Sequence, residues 1–242
     1  MDAIVIDSLT KKYKSVTAVD ALSLRISEGE LFSLLGVNGA GKSTTIKMLS
    51  CLSRPTGGDA YLYGKSIVSD ADEIKGFIAV SPQESAVAPS LSVRENLSLI
   101  CGVHGIRGSE RESRITDISA SLGLTEVLER KAKALSGGFL RRTSIAMALI
   151  TKPRILFLDE PTLGLDVIAR SELWELIRSL KGKVTVILTT HYMEEAEALS
   201  DRIGIMKNGR LLICDSADAI KRRAETDSFE QAFIRTVKGE VK

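Results

Sequence analysis

Glu30-Leu31-Phe32-Ser33-Leu34-Leu35-Gly36-Val37-Asn38-Gly39-Ala40-Gly41-Lys42-Ser43-Thr44 joins a short apolar run to a glycine-rich turn. Glu30–Leu35 reads as a buried strand that stops at Gly36. Helical character follows from about Lys42 to Leu52. The spacing from Gly36 to Ser43 is G-x-x-x-x-G-K-[ST], and strand before, helix after is the context that supports the match. Glycines let the backbone bend and approach phosphate oxygens closely. The helix N-terminus offers unpaired N–H groups and a partial positive charge to an anion. Lys42 adds a full charge near the β- and γ-phosphates, and the Ser43 hydroxyl is placed to ligate Mg²⁺. Gly36, Asn38, Gly39, Ala40, Gly41, Lys42, Ser43 and Thr44 are therefore expected to cradle a nucleoside triphosphate, ATP.

Outward from this loop, residues 3–9 and 22–27 alternate as half-buried strands do. Arg54-Pro55-Thr56-Gly57-Gly58 carries a loop signal, followed by strand-like Ala60–Tyr63 and Phe77–Val80. From about Ser92 to Ile150 strand signals vanish, and Ser92 with Glu95 has capping-box spacing. Strand and helix then alternate: Arg154–Leu158, Val167–Leu180, Val184–Thr189, Met193–Leu199, Arg202–Lys207 and Arg210–Cys214. This pattern predicts an α/β fold with a mostly parallel sheet covered on both faces. Residues 1–90 and 151–220 are expected to form that core, 91–150 an inserted helical lobe, and 221–242 a polar helical tail.

Asp159 and Glu160 end the apolar run Ile155–Leu158. Ligands of open α/β sheets bind outside the carboxyl ends of strands. Asp159 is placed to hold Mg²⁺ beside the phosphate loop, and Glu160 to act as general base on the attacking water. Without the upstream loop, the pair reads equally well as a strand end with solvent-facing acids.

The chain has 242 residues, 44% hydrophobic and 26% charged, with a net charge of +2. So small a charge gives no electrostatic case for nucleic acid. Cys51, Cys101 and Cys214 share no metal spacing and read as free thiols in a reducing compartment. No apolar run approaches the roughly 20 residues that span a bilayer.

Further strings identify a family. Leu135-Ser136-Gly137-Gly138 precedes Arg141-Arg142, Pro161-Thr162-Leu163-Gly164-Leu165-Asp166 follows the acids, His191 follows a strand, and Gln83 ends Val80-Ser81-Pro82-Gln83. Together they resemble the nucleotide-binding subunit of ATP-binding-cassette (ABC) transporters over nearly the whole chain. The resemblance implies a P-loop NTPase (RecA-like) core with an antiparallel β portion beside the parallel sheet. It implies that Tyr13 stacks on adenine, though a tyrosine here could simply pack beside a strand. Gln83 takes the place of the glutamine that touches Mg²⁺ and senses a membrane partner. His191 matches the switch histidine at the γ-phosphate. Ser136, Gly137 and Gly138 match the signature that caps ATP held by a second subunit. Asp166 matches the loop crossing that interface, and it could also N-cap the following helix.

Two positions depart from the pattern. Phe139 stands where glutamine is usual, as in branches exporting drugs or polysaccharides, and Val37 replaces a common proline. Pro89–Leu97 and Tyr192–Glu197 look like the ABC-2 export branch. The resemblance thus implies a Mg²⁺-dependent ATPase on the cytoplasmic face of a membrane. Its expected partners are a separate transmembrane permease subunit and a second ATP-binding subunit, and its cargo would be drugs, lipids or polysaccharides. A soluble ATPase of the same family, or an ATP-switched regulatory module without a transporter, are the alternatives.

Overall fold

The computed structural model describes residues 1–241. Its strands are β1 (Asp2–Tyr13), β2 (Val16–Ser27), β3 (Leu31–Leu35), β4 (Gly57–Leu62), β5 (Lys65–Ser66), β6 (Ile78–Ser81), β7 (Ile155–Asp159), β8 (Thr185–Thr190), β9 (Arg202–Lys207) and β10 (Arg210–Asp215). Its helices are α1 (Lys42–Leu49), α2 (Ala71–Lys75), α3 (Val93–Val103), α4 (Gly108–Ser121), α5 (Gly137–Leu149), α6 (Val167–Arg178), α7 (Met193–Leu199), α8 (Ala217–Arg223) and α9 (Phe229–Lys238).

The strands form two sheets. A six-stranded sheet has the order β10-β9-β3-β8-β7-β6, parallel except for the antiparallel edge strand β10. A four-stranded antiparallel sheet has the order β2-β1-β4-β5. Every residue of β3, β7 and β8 is buried, because each strand is covered on both faces. One face packs Phe32, Phe157 and Ile187 against α1 and the antiparallel sheet. The other packs Leu156, Leu158 and Leu188 against the helices between residues 93 and 177. A third cluster joins Ile203 and Ile205 to Ile220 and Phe229 of the C-terminal helices.

The α/β class and the parallel sheet are as expected from the sequence; several boundaries are not. β1 and β2 run well beyond 3–9 and 22–27. Left-handed Ser8 (φ 50°) and Ala21 (φ 48°) and several register shifts break the period-two pattern along them. Gly57 and Gly58 open β4 instead of lying in a loop. A Cβ on Gly58 (φ 70°) would sit 2.2 Å from Ser8 O, so this glycine serves the bulge of β1. α1 stops at Leu49, short of Leu52, because Cys51 turns left-handed (φ 58°) and the Leu52 N–H returns to Lys47 O at 2.9 Å.

Residues 93–149 hold α3, α4 and α5, with Ser92 and Glu95 making the expected capping box. α5 also reaches the sheet, through a 2.9 Å contact between Ser144 Oγ and Ser81 Oγ of β6. The tail comprises α8 and α9 and is not wholly polar: Phe229 and Ala232 are buried. Its last residue, Lys242, lies outside the described residues. Among those described, no helix is long and apolar enough to cross a membrane, and the three cysteines are free.

Candidate functional site

β3 delivers the chain to Gly36, where a Cβ would stand 2.5 Å from Met206 O, so only glycine fits beneath β9. Gly39 (φ 81°) and Gly41 (φ 104°) complete the turn, and a Cβ at Gly41 would lie 2.4 Å from Ala18 O. The backbone N–H groups of Asn38, Gly39, Gly41, Lys42, Ser43 and Thr44 donate to no protein atom among the described residues. Unpaired donors gathered at the start of α1 make a cradle for an anion. The Asn208-Gly209 turn braces this loop from outside, with Gly209 N–H donating to Ala40 O at 3.0 Å.

Lys42 folds back over the loop, its Nζ 2.8 Å from Gly36 O and 3.3 Å from Glu160 Oε1, with both side chains more than nine-tenths buried. Ser43 Oγ donates to Asp159 Oδ1 at 2.9 Å, and Thr189 Oγ1 donates to the same oxygen at 2.5 Å. β7 and β8 run in register, Asp159 opposite Thr189, which sets Asp159 and Glu160 at one end of the sheet with His191 just past β8. His191 Nδ1 lies 2.6 Å from Glu160 Oε2, and the Tyr192 ring packs 4.1 Å from the imidazole. Glu160 is thus held between a lysine and a histidine, aimed at the mouth of the loop.

Lys42, Ser43, Glu160 and His191 open onto one cleft of about 810 Å³, while Gly36 and Asp159 lie outside its lining. Tyr13, the loop residues Asn38 to Thr44, Gln83, Glu160 and His191 line it, as do Val16, Thr17, Ala18, Leu163 and Asn208. Tyr13 is half-exposed at the rim, with Lys11 Nζ 5.1 Å from its ring centre. A Ser43 hydroxyl beside an Asp159 carboxylate is a hard oxygen set suited to Mg²⁺. No group of three or more His, Cys, Asp or Glu that could cage a metal occurs among the described residues.

Ser136, Gly137, Gly138 and Asp166 do not line this cleft. Ser136 caps α5, its Oγ accepting from Phe139 N–H at 3.5 Å. A Cβ on Gly138 would meet Ala169 Cβ at 3.1 Å, which places the signature against the start of α6. Asp166 caps α6, its Oδ1 accepting from the Ile168 and Ala169 N–H groups at 2.9 Å each.

Sequence reasoning gave no site role to Asn208, Thr189, Arg141 or Glu195, although Arg141 stands in one of the strings that identify the family. An Asn-Gly pair between two strands signals a hairpin turn, and Thr189 is a polar residue in an otherwise apolar run. Glu195 of α7 is fully buried, with Trp174 Nε1 donating to its Oε1 at 3.1 Å. Burial pushes its pKa up, partly offset by the Thr190 and Thr162 hydroxyls and the Trp174 indole. Burial likewise lowers the pKa of the Arg141 guanidinium, against the pull of Asp159, Glu195 and Glu160.

Residues 19–163 match the family model described as ABC transporter. The chain is 39% identical over 211 residues to the daunorubicin/doxorubicin resistance ATP-binding protein DrrA of Streptomyces peucetius, covering 87% of this chain and 64% of that one. It is 38% identical to the probable multidrug ABC transporter ATP-binding protein YbhF of Escherichia coli, covering 95% of this chain and 40% of that one. The chain therefore spans less than two thirds of the length of these relatives. Among solved structures, an ATP-binding subunit of an ABC transporter superposes with a TM-score of 0.85 at 26% identity, covering 97% of this chain and 99% of that one. A dimeric post-hydrolysis cassette bound to ADP and Pi superposes with a TM-score of 0.79 at 29% identity, covering 88% of this chain and 98% of that one.

Proposed function

The chain belongs to the ABC transporter family, and from that premise we propose that it is the ATP-binding and ATP-hydrolysing subunit of a membrane transporter, an exporter of the drug-resistance kind. One observation carries this reading: unpaired loop N–H groups, Lys42, Glu160 and His191 meet in a single cleft, with Asp159 buried behind Ser43. The loop N–H groups and Lys42 hold the β- and γ-phosphates, and Tyr13 stacks on the adenine at the rim. Ser43, Asp159 and Gln83 hold Mg²⁺, which supplies charge neutralisation on the phosphate oxygens when bound. Glu160 orients the attacking water and accepts its proton, and His191 steadies the Glu160 carboxylate and reaches the γ-phosphate.

Ser136, Gly137 and Gly138 cap the nucleotide of a second copy or a related subunit, with Asp166 on the shared face. Their place outside their own chain's cleft supports this division. The dimeric likeness bound to ADP and Pi supports it too.

The chain sits at the cytoplasmic face of a membrane, and its transmembrane partner is a separate subunit. That subunit docks on a groove of about 380 Å³ between β6 and α3, lined by Val80, Pro82, Ile100 and His104. Exposed Leu52, Leu99 and Val103 are apolar surface in the same region. Steady-state phosphate release from the purified chain with ATP and Mg²⁺ tests the enzymatic claim. Sustained turnover is expected. ATP binding without turnover would replace this reading with a regulatory module.

A further inference from the structure

Arg141 lies near the start of α5 and is only 7% exposed. All of its hydrogen bonds go to backbone carbonyls. Nε donates to Pro161 O at 2.8 Å, Nη2 to Asp159 O at 2.7 Å, and Nη1 to Pro82 O at 2.5 Å and Gln83 O at 3.4 Å. One guanidinium therefore joins the signature helix, the end of β7 and the loop carrying Gln83. The planar fork makes this possible, since its donors diverge in fixed directions.

The residue between Asp159 and Pro161 is Glu160, whose φ of 49° is left-handed and uncommon for a side chain of this size. Such a conformation persists only where the surroundings over-determine it. Here the Glu160 N–H is fixed by Thr189 O and Thr189 Oγ1, both at 3.1 Å. The carbonyls of the residues immediately before and after it are fixed by Arg141. We infer that Arg141 is the positioning residue for Glu160, holding the left-handed backbone that aims the carboxylate at Lys42 and His191 and tying that segment to the Gln83 loop. The kinetic consequence rests on the ATPase reading above; the structural one does not.

Two readouts test it. In hydrogen exchange on the nucleotide-free chain, Arg141→Met should speed exchange in residues 80–86 and 158–165 by about tenfold or more, leaving β1, β2 and α9 unchanged. Unchanged exchange, or faster exchange throughout the chain, would overturn the inference. Should Arg141→Met fail to fold, Arg141→Lys keeps the charge without the fork and should give the same local pattern. In turnover, Arg141→Met should leave the Kd of a fluorescent ATP analogue within about threefold while kcat falls at least about tenfold. On a Glu160→Gln background it should change the residual rate by less than about twofold, because two residues acting as one unit are not additive. An equal fall in both backgrounds, or a Kd that rises in step with the fall in kcat, would overturn it. If the wild-type chain shows no turnover, the ATPase reading fails by itself and the exchange pattern still decides the role of Arg141.

Discussion

Replacing Glu195 by glutamine should stabilise this protein, and more so as pH rises. The carboxyl is fully buried on α7. The Trp174 indole satisfies Oε1, but Oε2 and the nearby Thr162 Oγ1 have no hydrogen bond of good geometry among the described residues. Burial raises the carboxyl's pKa above its ordinary value, which is about 4.3 for glutamate. The folded chain then binds a proton that the unfolded chain has released. Stability is therefore lost as pH climbs from the unfolded toward the folded pKa. Glutamine is neutral at every pH, keeps an acceptor for Trp174, and has an Nε2 that can donate to Thr162.

An unpartnered Oε2 costs about 1–3 kcal/mol when the buried carboxylate is ionised, and protonation relieves that cost by giving the carboxyl an O–H to donate. We therefore expect a gain of about 2 kcal/mol, or roughly 4–8 °C in Tm for a chain of this length, at pH 8. The gain should shrink toward pH 5. Thermal unfolding of both proteins from pH 5 to 8.5 measures it. A glutamine variant less stable at pH 8, or offset by the same amount at every pH, would show that Glu195 is ionised and well paired, and the reasoning would fail.

Two substitutions separate capping from function on the proposed shared face. Asp166→Ala removes two capping bonds and should lower Tm by about 2–4 °C for a loss near 1 kcal/mol. Asp166→Asn keeps the cap, so its Tm should stay within about 1 °C of the wild type while any interface role of the charge is lost. Ser136→Arg should leave ATP binding by the single chain intact and abolish ATP-dependent dimerisation, read by light scattering. A dimer persisting in ATP would count against the shared site.

Much of this site is local in sequence, and that part was legible. Gly36 to Ser43 bend and donate through their own backbone, so their spacing carries their chemistry. Asp159, Glu160 and His191 sit at strand ends that apolar runs reveal, and the parallel register of β7 and β8 does the rest. What stayed hidden is made by distant backbone. Arg141 acts on carbonyls of residues 82, 83, 159 and 161, and no local pattern announces such partners. A charged residue sharing a buried helix face with Ile145 and Ala148 was the available hint. Glu195, one turn before buried Leu199, gave the same hint on α7. β1 was underestimated because its bulges interrupt alternation, and the glycines of β4 resembled a loop because they accommodate that bulge.

The central claim is that two copies share ATP and that Glu160 ends the embrace by enabling hydrolysis. Measuring the solution mass of Glu160→Gln with and without ATP and Mg²⁺ tests it most directly. The account predicts a monomer without ATP and a stable dimer with it, while wild type under the same conditions returns to monomer as ATP is consumed. A Glu160→Gln chain that binds ATP yet stays monomeric, or hydrolyses it at the wild-type rate, would contradict it.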